Sequence, residues 1–395
     1  MNQGRTVFAQ LTDLLPRGAF TNAVRRHRGN RRVRSLSCMD QLLCMMFGQL
    51  TSRSSLRELV LCLRAMGTQR YHSGLRGVPA RSTLADANER RSHLIFEDTA
   101  RVLIASAKLE LPVDDELRAL GADVFAIDST TIDLCLSLFP WARFRQHKGA
   151  IKAHTMFDLG AGVPVFVRIS HGKTHDLWML DQIAFQPGAF YVMDKGYIDF
   201  ARLYRLHKAG AFFVTRAKRN MACSVRERRT VTPSVSGGDS AGEITSDHLV
   251  RLRGPKSRKL YPDTLRRVRY IDAETGKRFT FMTNHLELDA LTIALLYRKR
   301  WRIELFFKWI KQHLHIKSFY GQTANAVKTQ MWIAVIVYVL VVKLKHQFGL
   351  SQELNEIFQV LSVMLLEKRP VFELFSETPA QHLQAMERNQ LLLFE

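Results

Sequence analysis

Between residues 121 and 215, short apolar runs alternate with turn residues in an order that few folds accommodate. Residues 123–128 (Asp-Val-Phe-Ala-Ile-Asp) read as a buried strand. Residues 151–158 and 163–170 read as two more, with Gly160 and Gly162 marking a hairpin between them. Helical periodicity over 175–184 leads to a fourth strand at 189–193. A helix at 200–209, closed by Gly210, leads to a fifth strand at 211–215. Three strands in series followed by strand–helix alternation specify an α/β fold, a mixed sheet flanked by helices.

The sequence on either side is different in kind. Residues 1–118 are basic and helical, and Ser37-x-x-Asp40, Ser55-x-x-Glu58 and Thr83-x-x-Asp86 are helix-start patterns. Arg25, Arg26, Arg28, Arg31, Arg32 and Arg34 crowd together with no acid between Asp13 and Asp40. They form either a phosphate-gripping arm or a solvated loop. The stretch from Gly67 to Ser82 is longer than the tight turn of a standard helix-turn-helix. Residues 119–217 make the first part of the core. Residues 218–285, with Ser236-Gly-Gly-Asp239 and a hairpin at 267–271 and 278–282 about Gly276, read as a β-rich insertion. The core resumes over 286–345 with one long helix from Leu288 to about Leu314 and an apolar helix near 329–343. Residues 346–395 look helical and carry no legible motif.

Charge narrows the choice of partner. The chain of 395 residues has 58 Lys and Arg against 36 Asp and Glu, a formal +22. Self-repulsion on that scale is relieved by a polyanion, and nucleic acid is the usual one. A balance of 46% hydrophobic and 24% charged residues excludes a disordered or fibrous chain. Five cysteines, odd in number and without a CxxC pair, argue against a disulfide framework or a Cys-rich zinc site and fit a reducing cytosol. The first eleven residues lack the apolar stretch of a signal peptide. The longest apolar run, 331–342, is shorter than the ~20 residues that a span requires. These features predict a cytoplasmic protein with no membrane partner. Gly172-Lys-Thr174 resembles the end of a P-loop, but Val167 stands where its first Gly belongs, so no nucleotide cofactor is expected.

Three acids stand out by position: Asp128 and Asp194 each end an apolar strand, and Glu304 lies within the long helix. A carboxylate at the end of a core strand is expensive to desolvate unless something positive binds it. Two strand ends beside a helix-borne Glu would make a hard, oxygen-lined site suited to Mg²⁺ or Mn²⁺. Two such ions would serve phosphodiester cleavage and strand transfer. Taken singly, each acid could equally cap a turn. The helix adds weight to the first reading. Tyr297, Arg300, Glu304 and Lys311 are spaced by 3, 4 and 7, which puts them within roughly 60° of one another on a helix. Lys308 lies at the edge of this stripe. Ile303, Phe306 and Ile310 point away from it toward the core, with Phe307 at the border.

The spacing Tyr297-x2-Arg300-x3-Glu304-x6-Lys311 resembles the signature of IS4-family insertion-sequence transposases. Ala126-Ile-Asp128-Ser-Thr, Met193-Asp-Lys-Gly-Tyr197 and Met282-Thr-Asn284 are similar to other blocks of that family. The resemblance implies an RNase H-like core with a β-rich insertion before the last catalytic helix. It also implies that Asp128, Asp194 and Glu304 are a metal-binding DDE triad, and that Tyr297, Arg300 and Lys311 position transposon-end DNA. The implied activity is metal-dependent cleavage at terminal inverted repeats and transfer of the 3′-OH ends into target DNA, by a dimer in a synaptic complex on the bacterial nucleoid. A stand-alone nuclease on the same fold and a non-catalytic end-binding repressor are the rival readings. Family members that cut through a DNA hairpin use an aromatic residue of the insertion, typically Trp, to hold a flipped base. None of the five tryptophans lies there, which leaves Tyr261, Tyr270, Phe279 or Phe281 for that role.

Overall fold

Strand β1 (Val124–Leu134) runs past the apolar segment that predicts it, so Asp128 stands within the strand and not at its end. Beyond Asp128 the strand alternates buried and exposed positions, as a half-covered strand does. The structure, a computed structural model, describes residues 5–145, 148–231, 242–313 and 319–375. Residues 236–239, the end of the long helix at Leu314 and residues 376–395 lie outside the described residues. By contacts the chain divides into two compact units. One comprises Pro112–Asp133 and Arg143–Lys308, and the other Met1–Leu111, Leu134–Ala142 and Trp309–Glu395.

The first unit holds the sheet. After the short β2 (Arg143–Arg145), β3 (Lys148–Asp158) and β4 (Val163–His171) form the expected antiparallel hairpin. β5 (Phe190–Met193) lies parallel to β1, and β6 (Phe212–Arg216) parallel to β5. The order β4-β3-β1-β5-β6, with one antiparallel hairpin and three parallel strands, is the RNase H-like arrangement. The apolar faces of β1, β5 and β6 supply Phe125, Tyr191 and Phe213 to a core that the helix Phe200–Lys208 covers through Leu203 and Leu206. The segment expected to be helical at 175–184 is a 3-10 helix, Asp176–Asp181. Its start is held by Ser129 and Lys152, which both bond the Asp176 carboxylate. Gly172 lies against β3. A Cβ there would sit 2.9 Å from the Ala150 carbonyl oxygen, so that glycine serves packing and not phosphate binding.

The insertion is an extension of this sheet. β7 (Cys223–Arg229), β8 (Glu243–Leu252), β9 (Leu265–Ile271) and β10 (Arg278–Thr283) run antiparallel to one another, and β10 pairs with β6. Among the described residues all ten strands form one sheet. Asn284 ties the return to the core. Its side chain accepts from the Phe213 N–H and donates to the Ala211 carbonyl, both at 2.8 Å. Inside the insertion, Arg266 and Asp247 form a bidentate pair at 2.8 and 2.7 Å, and Arg266 also donates to the Leu286 carbonyl. That bond holds the approach to the helix Ala290–Lys299, whose N-cap is Asp289.

The one long helix expected from Leu288 is two helices, Ala290–Lys299 and Trp301–His313, meeting at Arg300. The junction is tight: Arg300 N–H bonds the Tyr297 carbonyl and Ile303 N–H bonds the Arg300 carbonyl, each three residues back. Asp114 holds both sides of it, accepting from Lys299 at 2.8 Å and from Arg302.

The second unit is helical. Ser37 and Asp40 form the expected capping box on Cys38–Leu50. Ser55 caps Leu56–Ala65, whereas Glu58 turns back to Ser54. The third helix begins at Arg81, two residues ahead of Thr83. The apolar run near 331–342 belongs to a 24-residue helix, Ala324–Gln347, which is long and apolar enough to cross a membrane. Length therefore does not exclude a span as the sequence suggested. Burial gives the better account: 89% of its most apolar window is covered within the fold, so it is apolar all round for that reason.

Candidate active site

The register of β1 on β5 builds the site. Ile127 lies opposite Met193, so the residues that follow them, Asp128 and Asp194, stand side by side where the parallel pairing of β1 and β5 ends. Neighbouring strands lie about 4.8 Å apart, which places two carboxylates 66 positions apart in sequence next to each other. Glu304 comes in from the helix Trp301–His313. Arg300 joins it to the strands, with Nη1 3.1 Å from Asp128 and Nη2 2.6 Å from Glu304. Tyr297 donates its hydroxyl to Asp194 at 3.2 Å, and its ring lies 4.9 Å from that of Phe281 and 5.3 Å from the Arg300 guanidinium.

The electrostatics follow from burial. Desolvation pushes the Asp128 carboxyl up to about 6, and the charges of Glu304 and Asp194 push the same way; the Ser129 N–H at 2.8 Å and Arg300 offset part of the rise. Burial also raises the Tyr297 hydroxyl to about 12, so it stays a donor at neutral pH. The guanidinium of Arg300 remains charged, and its buried Nε has no hydrogen-bond partner.

Carboxylate oxygens are the donors that a hard divalent ion takes. Among the described residues, no group of three or more His, Cys, Asp or Glu side chains stands close enough to hold an ion. The Arg300 guanidinium lies between Asp128 and Glu304 and supplies the positive charge there. By chemistry the acids fit a divalent cation. By position Asp128 and Glu304 are bridged by Arg300, and Asp194 is held by the Tyr297 hydroxyl.

The other expected residues are distributed as follows. Ile303, Phe306, Phe307 and Ile310 are buried, whereas Lys308 and Lys311 are exposed beyond Glu304 on the same helix. Arg25 is exposed, and Arg26 pairs with Asp98 at 2.7 Å. Arg28, Arg31, Arg32 and Arg34 are exposed on one loop of the helical unit. Of the aromatics proposed for base stacking in the insertion, Tyr261, Tyr270 and Phe281 are buried, and Phe279 is half-buried, stacked on Phe281 at 5.9 Å. Sequence reasoning missed Asp114, which holds the junction from an otherwise unremarked turn. It also missed Asp176, which takes Ser129 and Lys152 beside the site. An Asp in the first turn of a short helix, just after the turn residues 172–174, was the available signal for Asp176. His154 is buried against Trp178 at 5.6 Å, and burial lowers its imidazole to about 4.

Comparison with known proteins agrees with this geometry. A family model described as a transposase DDE domain matches residues 119–340, more than half of the chain. A domain of unknown function matches residues 3–76. A Sinorhizobium fredii protein named as the transposase y4zB is 37% identical over 262 residues, 66% of this chain and 70% of that protein. The protein named as the transposase of insertion sequence element IS5377, from Geobacillus stearothermophilus, is 27% identical over 274 residues, 69% of this chain and 67% of that protein. One from Synechocystis, named for insertion sequence element IS4SA, is 26% identical over 262 residues, 66% of this chain and 70% of that protein. The family's chemistry uses a divalent metal and acts on DNA. The chain belongs to the DDE transposases of insertion sequences, enzymes that cleave DNA strands and transfer them.

Proposed function

We propose that this transposase cleaves at the terminal inverted repeats of its own element and joins the freed 3′-OH ends to target DNA. Asp128, Asp194 and Glu304 are the ligands of Mg²⁺ or Mn²⁺, two ions per site, in a dimeric synaptic complex in the bacterial cytoplasm, bound to the nucleoid. The register that seats Asp128 beside Asp194, with Glu304 joined to Asp128 through Arg300, is the observation that supports this most directly. The bound metal supplies Lewis acidity at the scissile phosphodiester. The chain's own groups do the rest. Tyr297 holds the Asp194 carboxylate in one orientation through its hydroxyl bond. Arg300 bridges Asp128 and Glu304 and so fixes the orientation of both carboxylates. Lys308 and Lys311 line the exposed side of the same helix and grip the backbone of the end DNA. Arg25, Arg26, Arg28, Arg31, Arg32 and Arg34 belong to the end-binding region, with Arg26 held back by Asp98.

The test compares Asp128→Ala, Asp194→Ala and Glu304→Ala with the unaltered chain, in a gel shift on a terminal-repeat duplex and in a nicking and joining assay with Mn²⁺. Each variant is expected to bind the duplex and to produce neither nicked nor joined product. Substantial nicking by any one of them removes that acid from the site. Nicking without joining by the unaltered chain turns the reading into a nuclease.

A further inference from the structure

The helical unit contains a second feature built for a polyanion. The loop from His27 to Leu36 and the helix Arg81–Arg90 face each other across a cleft of about 550 Å³. Six arginines line it: Arg28, Arg31, Arg32, Arg34, Arg90 and Arg91. Among its described lining residues Asp86 is the one acid. The loop is tied to the helices around it despite its charge. A Cβ on Gly29 would stand 2.5 Å from Ile95 and 2.6 Å from the Cys38 sulfur, so only glycine lets the loop pack that closely. The Asn30 side chain accepts from the Cys38 N–H at 2.8 Å, and Arg91 bonds the Leu36 carbonyl and Gln41. Arg28 and Arg32 hold left-handed backbone, φ +52° and +58°, a conformation unfavourable for residues with a Cβ. Strain of that kind persists where the surroundings enforce it, and it accompanies binding sites. Here it turns four exposed guanidinium groups to one side of a fixed loop.

On the opposite wall, burial decides which side chains are available. Asn88 is fully buried and bonded to Gln41 at 2.8 Å, and Arg91 serves the loop. The cleft face of the helix is instead Thr83, Asp86 and Arg90, all exposed and spaced 3 and 4 apart, so they share one stripe. Asp86 and Arg90 pair at 2.7 Å, which presets the Arg90 fork. A methyl group, a carboxylate and a buttressed guanidinium are the groups that read thymine methyls, cytosine amino groups and guanine edges.

We infer that this cleft is the sequence-reading site for duplex DNA: Arg28, Arg31, Arg32 and Arg34 take backbone phosphates of one strand, and Thr83, Asp86 and Arg90 read base edges beside it. The inference rests on the proposed end cleavage for the identity of the duplex, and on its own geometry for the residues.

Fluorescence anisotropy on the full chain tests it, with a duplex carrying the terminal repeat that flanks the gene and a scrambled duplex of equal composition, titrated over several salt concentrations. Arg31→Ala and Arg34→Ala should weaken both duplexes alike and flatten the salt dependence by about one log–log unit per lost contact. Thr83→Ala and Asp86→Ala should keep that slope and lose roughly 5- to 150-fold of the preference for the repeat. Arg32→Gly supplies a readout that a packing role would not move. It relieves the left-handed strain, so the melting temperature should hold or rise while affinity falls. Unchanged preference in both helix variants, or unchanged slopes in both loop variants, overturns the inference. If the repeat is cut normally while those variants behave as the unaltered chain, only the cleft assignment fails. If the unaltered chain neither prefers nor cuts the repeat, the proposed function fails first.

Discussion

Arg300 is the most informative single side chain. A guanidinium between two carboxylates is a resident counter-ion, and a divalent metal must compete with it for the same oxygens. Arg300→Ala should therefore bind Mn²⁺ more tightly than the unaltered chain in calorimetry without DNA. With no metal, the variant should be less stable by about 2 kcal/mol, since two partly buried carboxylates lose a charge-assisted bond. Saturating Mn²⁺ should restore that loss. Equal affinities would mean that Arg300 and the metal do not share the acids. Asp128 sets the pH dependence. Its carboxyl is raised to about 6, chiefly by burial, and a metal binds only the deprotonated form. Mn²⁺ affinity should climb as pH rises from 5 and level off above about 7. A flat profile across that interval would show that Asp128 is not a ligand.

At the next level up, the pieces that hold the site are the ones that interrupt regular elements. The helix pair is broken at Arg300, and Asp114 spans the break by bonding Lys299 and Arg302 on either side of it. Burial raises the Asp114 carboxyl, but the Lys299 and Arg302 bonds outweigh it and the net direction is down. A carboxyl lowered in the folded state contributes stability above its unfolded value near 3.8, and that contribution is lost as pH falls through the folded value. Asp114→Asn should lower the melting temperature at pH 7, equivalent to about 2 kcal/mol, and the difference should shrink below pH 4. Cleavage should fall as well, because the helix ends carrying Tyr297 and Glu304 lose their common anchor. Normal cleavage in this variant would make the junction self-supporting. Asn284 plays a comparable part for the sheet, since its amide satisfies two backbone groups of the β6 approach. This gives a physical reason for a polar residue just after the apolar strand β10.

Over the whole chain, the charge and the two-unit organisation belong together. A formal +22 is carried largely by exposed arginines and lysines, in both the helical unit and the insertion. If six or more phosphates are engaged, affinity for an unrelated duplex should drop by about 10³-fold or more between 50 and 200 mM salt. A shallow dependence in anisotropy titrations would mean that the excess charge is not spent on DNA. The helical unit is organised around Ala324–Gln347, whose Lys343 reaches Ser106 and Glu110 on the helix Leu94–Glu110. Two segments more than two hundred residues apart thus form one unit, with the catalytic sheet inserted between them in sequence.

Much of this was legible along the chain because it rests on local periodicity. The strands β1, β3, β4, β5, β6, β9 and β10 are short apolar runs between turn residues, and they appear where the period-two pattern and the glycines put them. The stripe of Tyr297, Arg300 and Glu304 was also readable, since helical spacing carries over even with the break at Arg300. What depends on partners distant in sequence was not. No local pattern tells a strand how far to continue, and β1 runs on past Asp128 to Leu134. Nor does one show that Asn88 would be turned inward to Gln41, or that the insertion would pair edge to edge with β6. The apolar helix 324–347 satisfies the length and composition of a membrane span, and only the helices packed around it decide otherwise. Register is the deepest of these cases. Asp128 and Asp194 become neighbours because β1 and β5 align Ile127 with Met193, a choice made by the packing of their buried faces, since a slip of one residue would turn every core side chain outward.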